Sequence, residues 1–257
     1  MLLNLLIHFK QLNKYFQKMT KAALMIDHDI FVRYPEVTIG YMVVDNLHNI
    51  ALAKFSDDIT NISQKGINEN SLTLQNLVDF PSIAAWRQLY QECGVKPKTF
   101  KSSIESLLRR FVQKDYRPII PVVDLYNYIS AGHIISVGGY NWESIIGTLS
   151  LRYGRPEDVF IPLNGKESIS ITDKHIVYAD EGSNDSIVCW QWNQKDSNRT
   201  MLTNEIKRGL FIFDSLISDD RNRLVSAMAD FENLLTTYKV NILIRGVLDK
   251  HHPSLLI

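Results

Sequence analysis

The stretch Arg117-Pro118-Ile119-Ile120-Pro121-Val122-Val123-Asp124-Leu125-Tyr126-Asn127-Tyr128, followed by Ser136-Val137-Gly138-Gly139-Tyr140-Asn141, divides the chain in two. Pro121 suits the first turn of a helix, where its missing N–H would have no partner anyway. A helix is therefore read over Val122–Ala131, ended by Gly132. Beyond it the pattern changes. Thr148–Tyr153, Asp158–Leu163, His175–Ala179 and Ser186–Trp192 are short β-rich runs separated by Gly, Pro, Asn and Asp, the mark of a sheet. Gly209–Leu216 reads as one more strand. Ser218, Asp219 and Asp220 then open a long helix, with Leu224, Met228, Phe231, Leu235 and Tyr238 stepping by four and three.

On the other side of the divide, helices dominate. Ser102 with Glu105 three residues on is a capping box, ahead of the stripe Ile104, Leu107, Leu108 and Phe111. Pro81 opens a helix that runs to about Cys93 and is closed by Gly94, with Pro97 beyond. Asp57–Ser71 is polar and reads as loop. Val37–Val44 is β-branched and reads as a buried strand. At the start, Leu5, Phe9, Leu12, Phe16, Met19 and Ala23 form one face of an amphipathic helix, with four lysines off the stripe. The domains expected are a basic N-terminal helix over 1–24, a single compact α+β unit over 25–245 with a mixed sheet and flanking helices, and a C-terminal tail over 246–257.

The chain has 257 residues, 45% of them apolar and 22% charged, which argues against disorder. No apolar run approaches the ~18 residues of a membrane span, and Met1–Phe9 lacks the leading charge and cleavage site of a secretory signal. Cys93 and Cys189 are the only cysteines, too few for a disulfide framework or a four-cysteine zinc site, so a cytoplasmic protein is expected. The 28 basic and 28 acidic residues cancel, but residues 1–24 carry +4 and residues 96–117 carry +5. That asymmetry is open to two readings, a polyanion-binding face or two solvated helix faces. On the first, Lys101, Arg109, Arg110 and Lys114 would contact RNA. There is no phosphate loop, no Gly-x-Gly-x-x-Gly after a strand, no His-Glu-x-x-His and no Gly-x-Ser-x-Gly elbow, so no cofactor, nucleotide or metal is expected.

The two quoted stretches, with His175-Ile176-Val177-Tyr178-Ala179-Asp180, Cys189-Trp190-Gln191-Trp192-Asn193 and Asn198-Arg199-Thr200-Met201-Leu202-Thr203 in this order, resemble the B3/B4 domain of the phenylalanyl-tRNA synthetase beta subunit. They resemble still more the freestanding proteins built from that domain alone. Asp29–Val44 is similar to the family's opening, so the resemblance covers about 26–240. In the synthetase this domain edits: it hydrolyses the ester of a mischarged tRNA. The resemblance implies a freestanding tRNA-binding editing domain that takes the 3′ aminoacyl end and acts in trans as an aminoacyl-tRNA deacylase. No ligase activity is implied, since no adenylate-forming motif is found. The alternative is a non-catalytic tRNA- or amino-acid-binding module of the same fold.

Carried over by position, the family's Val-Val-Asp-x-Thr-Asn turn matches Val122–Asn127. Asn127 keeps the pocket asparagine, to hold a water or the terminal ribose, and Tyr126 stands for the threonine. The pocket histidine falls on Gly138 and is missing, the glutamate that reads a tyrosine hydroxyl falls near Asn198, and a floor alanine falls near Asp214. The catalytic set implied is Asn127 with the Gly138-Gly139 backbone. The substrate-binding set is Tyr126, Asn198, Arg199, Thr200, Asp214 and Trp192.

Each residue also has a plainer reading. Asn127 could bridge backbone within its helix, Gly138-Gly139 could mark a tight turn, and Cys189 reads as a buried structural thiol. Asp214 on a core strand needs a partner, such as Arg199, if it is not a site residue. Trp190 and Trp192 are expected on one strand face, packed in the core or stacked on a terminal base. His133 is either a substitute for the missing histidine or a surface residue.

Overall fold

Residues 24–255 are described by the computed structural model. The helix expected over 1–24 lies outside them, except for Leu24. That residue opens β1 (Leu24–Ile26), which leads through α1 (His28–Arg33) to β2 (Thr38–Asp45). Four helices follow: α2 (Asp57–Glu69), α3 (Pro81–Glu92), α4 (Ser103–Val112) and α5 (Pro121–His133). The β-rich part then holds β3 (Ser136–Asn141), β4 (Leu149–Tyr153), β5 (Val159–Phe160), β6 (Ile169–Ser170), β7 (Ile176–Asp180), β8 (Ile187–Trp190), β9 (Lys195–Asp196) and β10 (Gly209–Ser215). The helix α6 (Arg221–Thr237) and the strands β11 (Asn241–Leu248) and β12 (Ser254–Leu255) complete the order. The fold is α+β.

Two sheets organise it. One is mixed and six-stranded, in the order β12-β1-β4-β7-β8-β9, with β1 and β4 parallel. The other is antiparallel, in the order β11-β2-β10-β3. The inner strands β2 and β10 are buried on both faces, and the period of two sorts their side chains. Ile39, Tyr41, Val43, Leu210 and Ile212 join a core shared with the six-stranded sheet, α3 and α4. Met42, Val44, Phe211 and Phe213 face the second core, under α5 and α6.

Several expectations change. Asp57–Ser71 is largely the helix α2: most of its polar residues face solvent while Ile59, Ile62 and Ile67 point inward with Ser63. Gly132 does not end α5. A β-carbon there would stand 2.5 Å from the Ile62 carbonyl oxygen, and one at Gly66 would stand 2.7 Å from that of Ala131, so the two glycines let α2 and α5 cross in close contact. The helix ends instead at Ile134, with φ +53°. The capping box is half made: the Glu105 N–H donates to Ser102 Oγ, while the Glu105 carboxylate takes Arg87 and Arg109. Trp190 and Trp192 do not share a strand face, because β8 ends at Trp190 and both Gln191 and Trp192 have positive φ. Residues 246–257, read above as a tail, carry the end of β11 and all of β12, which pairs with β1.

Candidate functional site

Asp214 lies on β10, 3% exposed, and its Oδ1 accepts hydrogen bonds from the Tyr178 hydroxyl at 2.5 Å and the Trp192 indole N–H at 3.0 Å. These three residues come from β10, β7 and the β8–β9 turn, so the pairing of the two sheets makes the site. Oδ2 accepts nothing from the described residues. Arg199 is not the partner of Asp214: it pairs with Asp180 at 3.0 Å and donates to the Ser144 and Asp185 carbonyls. Burial pushes the Asp214 carboxyl up to about 7. The two donors hold it down, and the Asp196 charge adds to the rise.

Asp196 continues the cluster. It stands opposite Cys189 in the β8–β9 ladder, and its Oδ1 accepts from the Tyr140 hydroxyl at 3.3 Å. Desolvation raises its carboxyl too, against the donors Cys189 and Tyr140. Tyr140, from β3, reaches back over Gly138, where a β-carbon would meet its hydroxyl at 2.8 Å. The side-chain space at position 138 is therefore filled by a phenol. Gly139 faces the other way, toward Leu202, Phe211 and Tyr126, with a β-carbon there 2.9 Å from the Tyr126 ring. Burial pushes the Tyr126 phenol well above its ordinary range, with Asp196 the largest nearby charge. Tyr178, Tyr140 and Asp196 were not among the expected site residues.

The strand β3 is the edge of its sheet. The Asn141 N–H leaves the sheet for the Thr200 carbonyl, and the Trp142 N–H bonds Arg208 across it. By alternation the Gly139 N–H points off the free edge, and the Gly138 N–H points into the ladder with β10. Of the two, only the Gly139 N–H lies outside the ladder; it is buried and has no partner among the described residues.

Asn127 is not joined to the Asp214 cluster. Its Nδ2 donates to the Tyr116 hydroxyl at 3.2 Å, which donates to Asp124 Oδ1 at 2.6 Å. Asn198 ties down a neighbouring loop, accepting from Asn164 N and donating to Gly165 O. Thr200 clamps the end of β3 through its carbonyl. His133 does not substitute for a residue at 138, since it is bonded to Asp230 at 2.8 Å across α6. Of the four RNA candidates, Arg110 and Lys114 are exposed, Arg109 is paired with buried Glu105, and Lys101 donates to the Lys98 carbonyl. Among the described residues no three His, Cys, Asp or Glu side chains are grouped to hold a metal, and no helix is long and apolar enough to cross a membrane.

A family model described as the B3/4 domain matches residues 85–223, just over half of the chain. The matched stretch contains Tyr140, Tyr178, Trp192, Asp196 and Asp214. Among solved structures the chain is similar to an N-terminal fragment of the phenylalanyl-tRNA synthetase beta-subunit from Pyrococcus horikoshii. The identity is 10% and the TM-score 0.43, over 92% of this chain and 55% of that one, so this chain spans about half the length of that fragment. No curated protein matches.

Proposed function

The chain belongs to the B3/4 domain family, and from that premise we propose that it binds the 3′ aminoacyl end of tRNA and hydrolyses the ester of a mischarged species in trans, in the cytosol. The observation that carries this reading is the buried Asp214 carboxyl, unpaired with any cation among the described residues and pushed up to about 7, on the strand next to the Gly139 edge. A carboxyl raised this far by burial, with a second carboxylate adding to the rise, is a candidate for a functional group.

In the reaction, a water oxygen forms a bond to the ester carbonyl carbon, and the bond to the ribose oxygen breaks. The Gly139 N–H donates to the oxygen that gains charge, an assignment supported by its position off the β3–β10 ladder. Asn127 Oδ1, unpartnered among the described residues, holds the water or the ribose. Asp214 reads the amino group or side chain of the acyl group. With a phenol rather than an imidazole over Gly138, the adjacent ribose hydroxyl of the tRNA serves as base and passes its proton to the leaving oxygen.

The absence of an imidazole at Gly138, and the separation of Asn127 from the Asp214 cluster, favour a second reading: a module that binds the aminoacyl end without turnover. Incubation with a panel of correctly and wrongly charged tRNAs, following loss of the ester, separates the two. Hydrolysis of one mischarged species supports the first reading, binding without hydrolysis selects the second, and neither binding nor hydrolysis removes both.

A further inference from the structure

The loop that follows α3 forms a separate opening. Its pocket, of about 490 Å³, is lined by Arg87, Gly94, Lys96, Lys98 and Thr99 among others, with no acidic residue in the lining. Lys96 and Lys98 are exposed. The one carboxylate that reaches Arg87, Glu105, is shared with Arg109. The neighbourhood thus stays cationic. Next along the loop, Phe100 is 40% exposed and stands edge-on to Trp190, with ring centroids 5.4 Å apart and planes at 85°.

Trp190 begins a turn rich in buried polar atoms that have no partner among the described residues: its own Nε1, both amide atoms of Gln191, Asn193 Nδ2 and Gln194 Oε1. Native proteins leave few such atoms, and each calls for an explanation. The same turn holds Gln191 and Trp192 at positive φ, and Trp192 donates to Asp214. The contact of Phe100 with Trp190 thus joins the basic loop to the buried turn whose Trp192 holds the carboxyl.

We infer that the loop 94–101 docks the single-stranded 3′ end of an RNA, with backbone phosphates on Lys96 and Lys98 and an unpaired base stacked on Phe100. Cations that track a backbone beside an aromatic platform are the recurring means of holding single strands. A duplex offers the same phosphates but no free base face. This inference rests on the tRNA reading above and adds to it the place where the end enters.

The probe is a fluorescein-labelled single-stranded RNA ending in CCA, compared with the same strand paired to its end. The single strand should bind more tightly. Phe100→Ala should weaken it by about five-fold to a hundred-fold, and Phe100→Trp should restore it. Lys96→Ala with Lys98→Ala should reduce the slope of log affinity against log salt by about 1.4, two single-strand phosphate contacts. Thermal melts establish that each variant is folded. Equal binding of the paired strand, no binding of either strand, or wild-type affinity and slope in the variants would overturn the inference. Variant-sensitive binding without ester hydrolysis keeps it and removes the catalytic reading. Hydrolysis of charged tRNA with wild-type KM in all variants removes it and keeps the catalytic reading.

Discussion

Asp214 shows how a single buried group makes its own pH dependence. Its carboxyl titrates near 7 in the fold, against about 4 in an unfolded chain. Between those values the native state keeps a proton that the unfolded chain releases. The contribution to stability is therefore full below about pH 4 and is lost as pH rises through 7, by up to about 1.4 kcal/mol per unit. Asp214→Asn keeps an oxygen to accept from Tyr178 and Trp192 but cannot ionise, so it should gain on the wild type from pH 5 to pH 8. Thermal melts across that range check this, and parallel profiles for the two proteins would refute it. In catalysis, Asn127→Ala should lower turnover by about 10²-fold, the usual effect of losing one positioning group. Asp214→Ala should instead change which aminoacyl group is removed. Ester-loss assays read both, and wild-type rates and selectivity in the pair would place the reaction elsewhere. At this scale the sequence drew attention to Asp214, because a carboxylate in an apolar strand stands out, whereas Trp192, expected on a strand, lies in the turn after it. Tyr140 and Tyr178 did not stand out. A tyrosine in a strand reads as core, and only the pairing of distant sheets shows where its hydroxyl goes.

Among the elements, α1, β1, β3, β11 and β12 have no counterpart in the sequence reading, and α2 reads as loop. Its serines and asparagines hide a sparse inward stripe, and the depth to which it sits depends on Gly66 meeting Gly132, a partner in another helix. Gly132→Ala should drive a methyl group into the Ile62 carbonyl and cost about 1–3 kcal/mol, as overpacking does, read as a lower urea midpoint with an unchanged slope. The start of α4 was legible because a cap is local. Ser102→Ala should remove the acceptor for Glu105 N and cost about 1 kcal/mol. A midpoint equal to wild type in that variant would show that the bond carries no net stability. The second half of the capping box failed for a long-range reason, the pull of Arg87 and Arg109 on the same carboxylate.

For the molecule as a whole, sequence order gave the division into helices and sheet but not which strands pair. The end of the chain is where this matters. The strand β12 pairs with β1, Pro253 accepts the Ile26 N–H, and Asp249 pairs with Arg221 on α6. Truncation after Leu248 removes all three and should lower the melting temperature by roughly 5–10 °C, the shift expected for a loss of about 2–3 kcal/mol at this size. A truncated protein melting with wild-type cooperativity at the wild-type temperature would make 249–257 dispensable.

The partnership of β1 with β12 also sets a timetable for synthesis. A ribosome delivers Leu24–Ile26 early, yet their parallel neighbour β4 comes much later and β12 later still. Throughout that interval the apolar Leu24 and Ile26 lack the sheet that buries them in the finished protein, the condition in which nascent chains aggregate or recruit chaperones. The six-stranded sheet cannot close until β12 has been made.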